Sequence, residues 1–145
     1  MDGTRVYPTR TGRHNGPLTI SGFACLEDAT VNGPVTIRPG ATFIATGTTI
    51  SGPVSAAGAT GVFLGDSTVR GPVSISGTTG AVSLVGNTIS GPVSVAANNT
   101  GSDPALIAGN SVSGPLSCAA NSPTPTNVGV ANSVNGPKSG QCATL

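Results

Sequence analysis

Few side chains in this 145-residue chain can move a proton or attack a carbonyl. The carboxylates are Asp2, Glu27, Asp28, Asp66 and Asp103, and His14 is the single histidine. Acid–base cleavage of a sugar or ester bond needs two such groups flanking the scissile bond. Glu27 and Asp28 are adjacent, so on a strand they point to opposite faces unless a turn intervenes. Asp66 and Arg70 fall in one repeat and read as a surface ion pair. A serine nucleophile would need a base, and His14 lies outside the repeated part of the chain. Cys25, Cys118 and Cys142 are dispersed and, with one histidine, make no zinc set. The chain is therefore expected not to be an enzyme and to need no cofactor or metal.

Hydroxyl groups, by contrast, are plentiful and periodic. Gly-Pro recurs at Gly16, Gly33, Gly52, Gly71, Gly91, Gly114 and Gly136, with spacings of 17, 19, 19, 20, 23 and 22. Aligning those pairs puts Thr30, Thr49, Thr68, Thr88, Ser111 and Ser133 in one column. Asn32, Ser51, Arg70, Ser90, Ser113 and Asn135 form a second, and Thr19, Thr36, Ser55, Ser74, Ser94 and Ser117 a third. The candidate binding face is Thr30, Thr49, Thr68 and Thr88 with Ser51, Ser90 and Ser113. A flat rank of this kind can hold a glycan or, less readily, order water as on ice. The plainer reading is a side-chain ladder that bonds along the stack. Asn87, Asn110 and Asn132, with Asp28 and Asp66 near the same corner, read as turn formers because Asn and Asp tolerate left-handed backbone.

What must carry these columns is a stack of short strands. Val or Ile stands two residues before six of the seven Gly residues, and Val or Leu follows most of the Pro residues, which is period-two alternation broken by a bend. A second apolar run lies midway, as in Val62-Phe63-Leu64 and Val82-Ser83-Leu84-Val85. A unit of this length cannot bury its own apolar side, so neighbouring units must stack. The pattern predicts an all-β, single-domain parallel β-helix (β-solenoid) of about seven coils of roughly 20 residues, right-handed, over 15–145. Val31, Ile50, Val69, Ile89, Val112 and Val134 form one core column, and Leu18, Val35, Val54, Val73, Val93 and Leu116 another. Phe23, Phe43 and Phe63, each 20 residues apart, are expected to form an aromatic stack. Gly-Pro is expected at a corner, where the missing proline N–H matters least. The stretch 97–104 lengthens one coil and is the candidate functional loop.

Composition agrees with a folded rod. Gly (22) and Pro (12) are abundant, aromatics are 3% and charged residues 8%, yet mean hydropathy is positive and net charge is only +1. That balance gives no footprint for nucleic acid, and no apolar run is long enough to insert in a membrane. Residues 1–14, with Arg5, Tyr7, Arg10, Arg13 and His14, read as a polar N-terminal tail or cap. Cys118 and Cys142 are 24 residues apart, close to one local repeat, so a disulfide is expected to clamp the last coil, in an oxidising compartment. Cys25 lies about 20 Å away along the stack and is expected to stay free, with a buried position open to it.

The ending Leu116-Ser117-Cys118, then Gly140-Gln141-Cys142, together with the repeats, resembles secreted right-handed parallel β-helix proteins of actinobacteria. Those proteins repeat Thr-Val-x-Gly-Asn-Val-x-Val and close with a two-cysteine cap. The resemblance covers roughly 15–145 and implies a secreted or cell-surface protein. It supplies no enzymatic activity. No signal-peptide pattern is present, so an exported form is expected to have lost its leader. The expected role is structural or adhesive, with cell-wall or extracellular polysaccharide as the candidate ligand and end-to-end self-association as the candidate assembly.

Overall fold

The computed structural model describes residues 9–101 and 103–145. It is all-β, a parallel β-solenoid of about seven turns. Arg5 and Tyr7 lie outside the described residues. Each coil has three straight segments separated by three bends, so the stack has three faces. Face one carries Thr42–Thr46, Gly61–Gly65, Ala81–Val85 and Leu106–Ala108. Face two carries Thr49–Ile50, Thr68–Val69, Thr88–Ile89, Ser111–Val112 and Ser133–Val134. One long strand, Phe23–Asn32, runs through both faces, and Thr9–Asn15 pairs with it in parallel at the N-terminal end. Face three is a seven-stranded sheet from Leu18–Ile20, through Val35–Ile37, Val54–Ala57, Val73–Ser76, Val93–Ala96 and Leu116–Ala119, to Lys138–Gly140.

The core columns fall as the Gly-Pro alignment predicts. Val35, Val54, Val73, Val93 and Leu116 are direct register partners and all buried, and so are Val31, Ile50, Val69, Ile89 and Val112. Between them the chain alternates inward and outward, as a strand must. Each fully buried Val, Ile or Leu contributes about 1.5–3 kcal/mol through lost apolar hydration, and small residues such as Ala41, Ala45 and Ala59 fill the narrow prism between them.

The aromatic stack does not form. On face one the coils advance by 19 residues, so Phe23 pairs with Thr42, Phe43 with Val62, and Phe63 with Ile44. A spacing of 20 therefore moves each phenylalanine one column along, and the side-chain direction flips at each step. Phe43 points in and is fully buried, whereas Phe23 and Phe63 point out and are each 36% exposed.

The Gly-Pro pair sits at the bend between faces two and three. From Pro34 onward each of these proline carbonyls accepts from the previous coil, as in Val54 N to Pro72 O and Val73 N to Pro92 O, both 2.9 Å. The ladder thus uses the half of the proline peptide that can still bond. The glycine is needed because two backbones touch. A Cβ on Gly91 would lie 2.7 Å from Pro72 N and 2.8 Å from the carbonyl carbon of Gly71. Gly91→Ala is expected to cost about 1–3 kcal/mol through overpacking against rigid backbone. Urea melts would show it, and an unchanged midpoint would mean the coils are farther apart than described.

Candidate functional site

The other two bends organise the polar interior. Between faces one and two, Asp28, Gly47, Asp66, Gly86 and Gly109 form a column in which every residue has positive φ, from 48° to 68°. Asp tolerates this conformation better than most residues, which accounts for Asp28 and Asp66 among the glycines. The turn that the adjacency of Glu27 and Asp28 called for is this one, and both side chains are exposed. The next residue of each bend turns inward, giving the buried column Thr48, Ser67, Asn87, Asn110 and Asn132.

Each of these asparagines closes the coil before its own. Asn87 Oδ1 accepts from Ser67 N at 3.0 Å, and its Nδ2 donates to Leu64 O at 2.8 Å. Asn110 does the same to Asn87 N (3.0 Å) and Leu84 O (2.8 Å), and Asn132 to Asn110 N (3.0 Å) and Ile107 O (2.8 Å). A second ladder fills the bend between faces three and one. There Asn98 accepts from Thr78 N at 2.8 Å, Asn121 from Asn98 N at 3.2 Å, and Gln141 from Asn121 N at 2.9 Å. Buried amides bonded this fully add to stability instead of subtracting from it. The Oγ1 of Thr78, at the N-terminal end of the second ladder, is the one buried side-chain atom without a partner among the described residues.

The predicted hydroxyl columns are in register. Thr30, Thr49, Thr68, Thr88, Ser111 and Ser133 are successive partners on face two. The first three are half-buried and Thr88 is exposed, as are Ser51, Ser90 and Ser113 one step on. Part of that second column bonds along the stack, Asn32 Nδ2 to Asn15 Oδ1 at 2.8 Å and Ser51 Oγ to Asn32 Oδ1 at 3.3 Å. Arg70 interrupts it, exposed. The third column is the outer rank of face three, unbroken from Thr19 to Ser139. Ranks lie about 4.8 Å apart along the axis and about 6.6 Å apart along the strand. Such a surface offers many weak hydrogen bonds at fixed spacing and no concentrated charge.

Face one differs. Its middle outward column is Cys25, Ile44, Phe63, Ser83 and Leu106. The sequence alignment missed it because it was anchored on Gly-Pro, whose distance from face one changes between coils. Read at a 19-residue step, Cys25, Ile44 and Phe63 would have shown an apolar column on the outer side.

Cys118 and Cys142 form the disulfide, with Cα atoms 5.1 Å apart and both side chains buried. A loop of that length contributes about 3 kcal/mol by restricting the unfolded chain. Cys25 is free, but it is half-exposed on the outer side of face one, not interior. Denatured, non-reduced protein is expected to show one reactive thiol. A count of three would remove the disulfide.

Within the lengthened stretch 97–104 the described residues are tied down locally. Asn98 belongs to the second ladder, Asn99 bridges to Ser122, and Thr100 Oγ1 donates to Asp103 O at 2.6 Å. Among the described residues no three of His, Cys, Asp and Glu come together. His14 Nε2 lies 3.1 Å from Pro17 O. A scan for similar proteins finds no matching family model, curated protein or solved structure.

Proposed function

We propose that this solenoid is a non-catalytic structural or adhesive module that works outside the cytoplasm, secreted or at the cell surface. The observation that supports this most is the pairing of a disulfide-clamped terminal coil with two outer faces rich in Ser, Thr and Asn. Disulfides persist in oxidising compartments, and a weakly charged hydroxyl surface suits a rod that must stay soluble while repeating one contact many times. The family resemblance to actinobacterial β-helix proteins points the same way.

A second reading is favoured by the unbroken rank on face three. Regular hydroxyls at strand spacing could bind a cell-wall or extracellular polysaccharide, with ice a less favoured ligand. The two readings separate in one experiment. Purified protein is incubated with insoluble cell-wall material and a panel of insoluble polysaccharides, with partitioning into ice run alongside. The structural reading expects no retention on any glycan. Retention on one glycan that falls several-fold in Ser55→Glu or Ser74→Glu, with folding unchanged, would replace it with a carbohydrate-binding module. Retention in ice alone would transfer the hydroxyl rank to water ordering.

A further inference from the structure

The geometry points to face one as a lateral self-association surface, on which two copies pack face to face with their solenoid axes parallel. Three observations lead there. First, the middle outward column of this face, Cys25, Ile44, Phe63 and Leu106 with Ser83 among them, is mainly apolar, while the corresponding columns of the other faces are mostly hydroxyl. Phe63 is 36% exposed, and its ring edge lies 3.1 Å from where a Cβ of Gly61 would be, so the ring leans over that glycine.

Second, the two lateral edges of the face differ in charge. Glu27, Asp28 and Asp66 lie along the bend into face two; Arg38 lies at the bend from face three, with Asp103 on the same edge three rungs further on, all exposed. Third, the heights match. Arg38 leads into the Thr42–Thr46 rung, which ends at Gly47. In its corner column Gly47 lies between Asp28 and Asp66, and the Asp28 carboxylate leans over it.

A two-fold axis running parallel to the stack exchanges the two edges and keeps every rung at its own height. Arg38 of each copy then meets the other copy at Gly47, under the Asp28 carboxylate and one rung from Asp66, and the middle column meets itself. Phe63 packs on Phe63, Leu106 on Leu106, and Cys25 faces Cys25. The antiparallel alternative would set the acidic edges against each other and leave Arg38 only Asp103 as a partner, so the charges favour the parallel arrangement. Five rungs by five residues is about 24 by 16 Å. Two copies therefore bury roughly 800 Å², in the range of weak, reversible contacts. A closed two-fold contact of this kind leaves the hydroxyl faces outward on both copies. It does not depend on whether those faces bind anything.

The test is sedimentation velocity on the full chain from about 10 µM to 1 mM, a range chosen for an interface of this size, in degassed buffer without reductant, which leaves Cys118–Cys142 bonded. The weight-average mass is expected to climb from 13.9 kDa towards twice that value. Phe63→Glu and Ile44→Lys, both outward, should remain at the monomer mass with unchanged circular dichroism. Arg38→Glu should weaken association at least tenfold, and adding Asp28→Asn and Asp66→Asn, which remove the repulsion and keep a side chain suited to the left-handed bend, should recover part of it. A short bis-maleimide reports the arrangement, because facing sheets stand about 10 Å apart, beyond the reach of a direct disulfide. Each Cys25 thiol adds across one maleimide double bond, its proton passing to the ring carbon, and the linker joins the two copies. Cys25→Ser should lose that crosslink and keep the mass shift. A mass that stays monomeric at 1 mM overturns the proposal. So does a dimer indifferent to Phe63→Glu, or one in which Cys25 crosslinks to Leu106→Cys in preference to another Cys25. Glycan retention that Phe63→Glu abolishes, in a protein that never dimerises, would give the face to a sugar instead.

Discussion

Val73→Asp is expected to leave no folded protein, while Ser74→Asp, its neighbour on the same strand, folds normally. Val73 is 1% exposed and is stacked between Val54 and Val93, its register partners on the coils to either side. A carboxylate there has no cation and no donor within the core, and the cost of burying it is several kcal/mol even after relaxation. A domain of this size has about 5–15 kcal/mol in total. The loss is compounded because each coil is stabilised by its neighbours, so one broken rung uncouples those on both sides. Ser74 points outward and is exposed, so a charge there meets water. Soluble Val73→Asp protein with a β-rich circular dichroism spectrum would mean that the strands are offset by one residue from the register described.

Asn110→Leu is the second large effect. The substitution keeps approximate volume and removes the amide that serves two buried groups of the preceding coil, the N–H of Asn87 and the carbonyl of Leu84. Each orphaned group costs about 1–3 kcal/mol, so the expected loss is about 2–6 kcal/mol. Thermal melts should fall by roughly 3 °C for each kcal/mol in a chain of this length. Ser111→Ala, next to it and exposed, should move the midpoint hardly at all. If both variants melt within a degree or two of the parent, the asparagine ladder is ornament to a stack held by its apolar core.

The core was legible in the sequence because Gly-Pro marks the same bend in every coil. Val35 and Val54 could be matched without knowing anything else, and so could Cys118 with Cys142, which lie in adjacent coils near the terminal bend. Legibility faded with distance from that mark. Face one begins after a bend whose length varies, so Phe23, Phe43 and Phe63 were matched at the wrong step and the outward apolar column went unseen. Asn87, Asn110 and Asn132 read as turn formers at the right bend; that Asn87 and Asn110 point inward follows from the left-handed Gly86 and Gly109 before them, whereas Asn132 follows Ala131, which is not left-handed. Asn98 and Asn121 gave less warning still. The residues that precede them, Ala97 and Ala120, have φ of 55°, and alanine does not announce a left-handed bend.

Both ladders point one way along the chain. Every asparagine serves the coil before it, so a bend is complete only once the following coil is in place. A chain leaving the ribosome N-terminus first would therefore always have one unfinished end, and each new coil would find a template already formed and waiting with open N–H and C=O groups. Gln141 completes Asn121 in the same sense, and the bond between Cys118 and Cys142 joins the last two coils. Growth of the rod would be vectorial, with its oxidative lock added last.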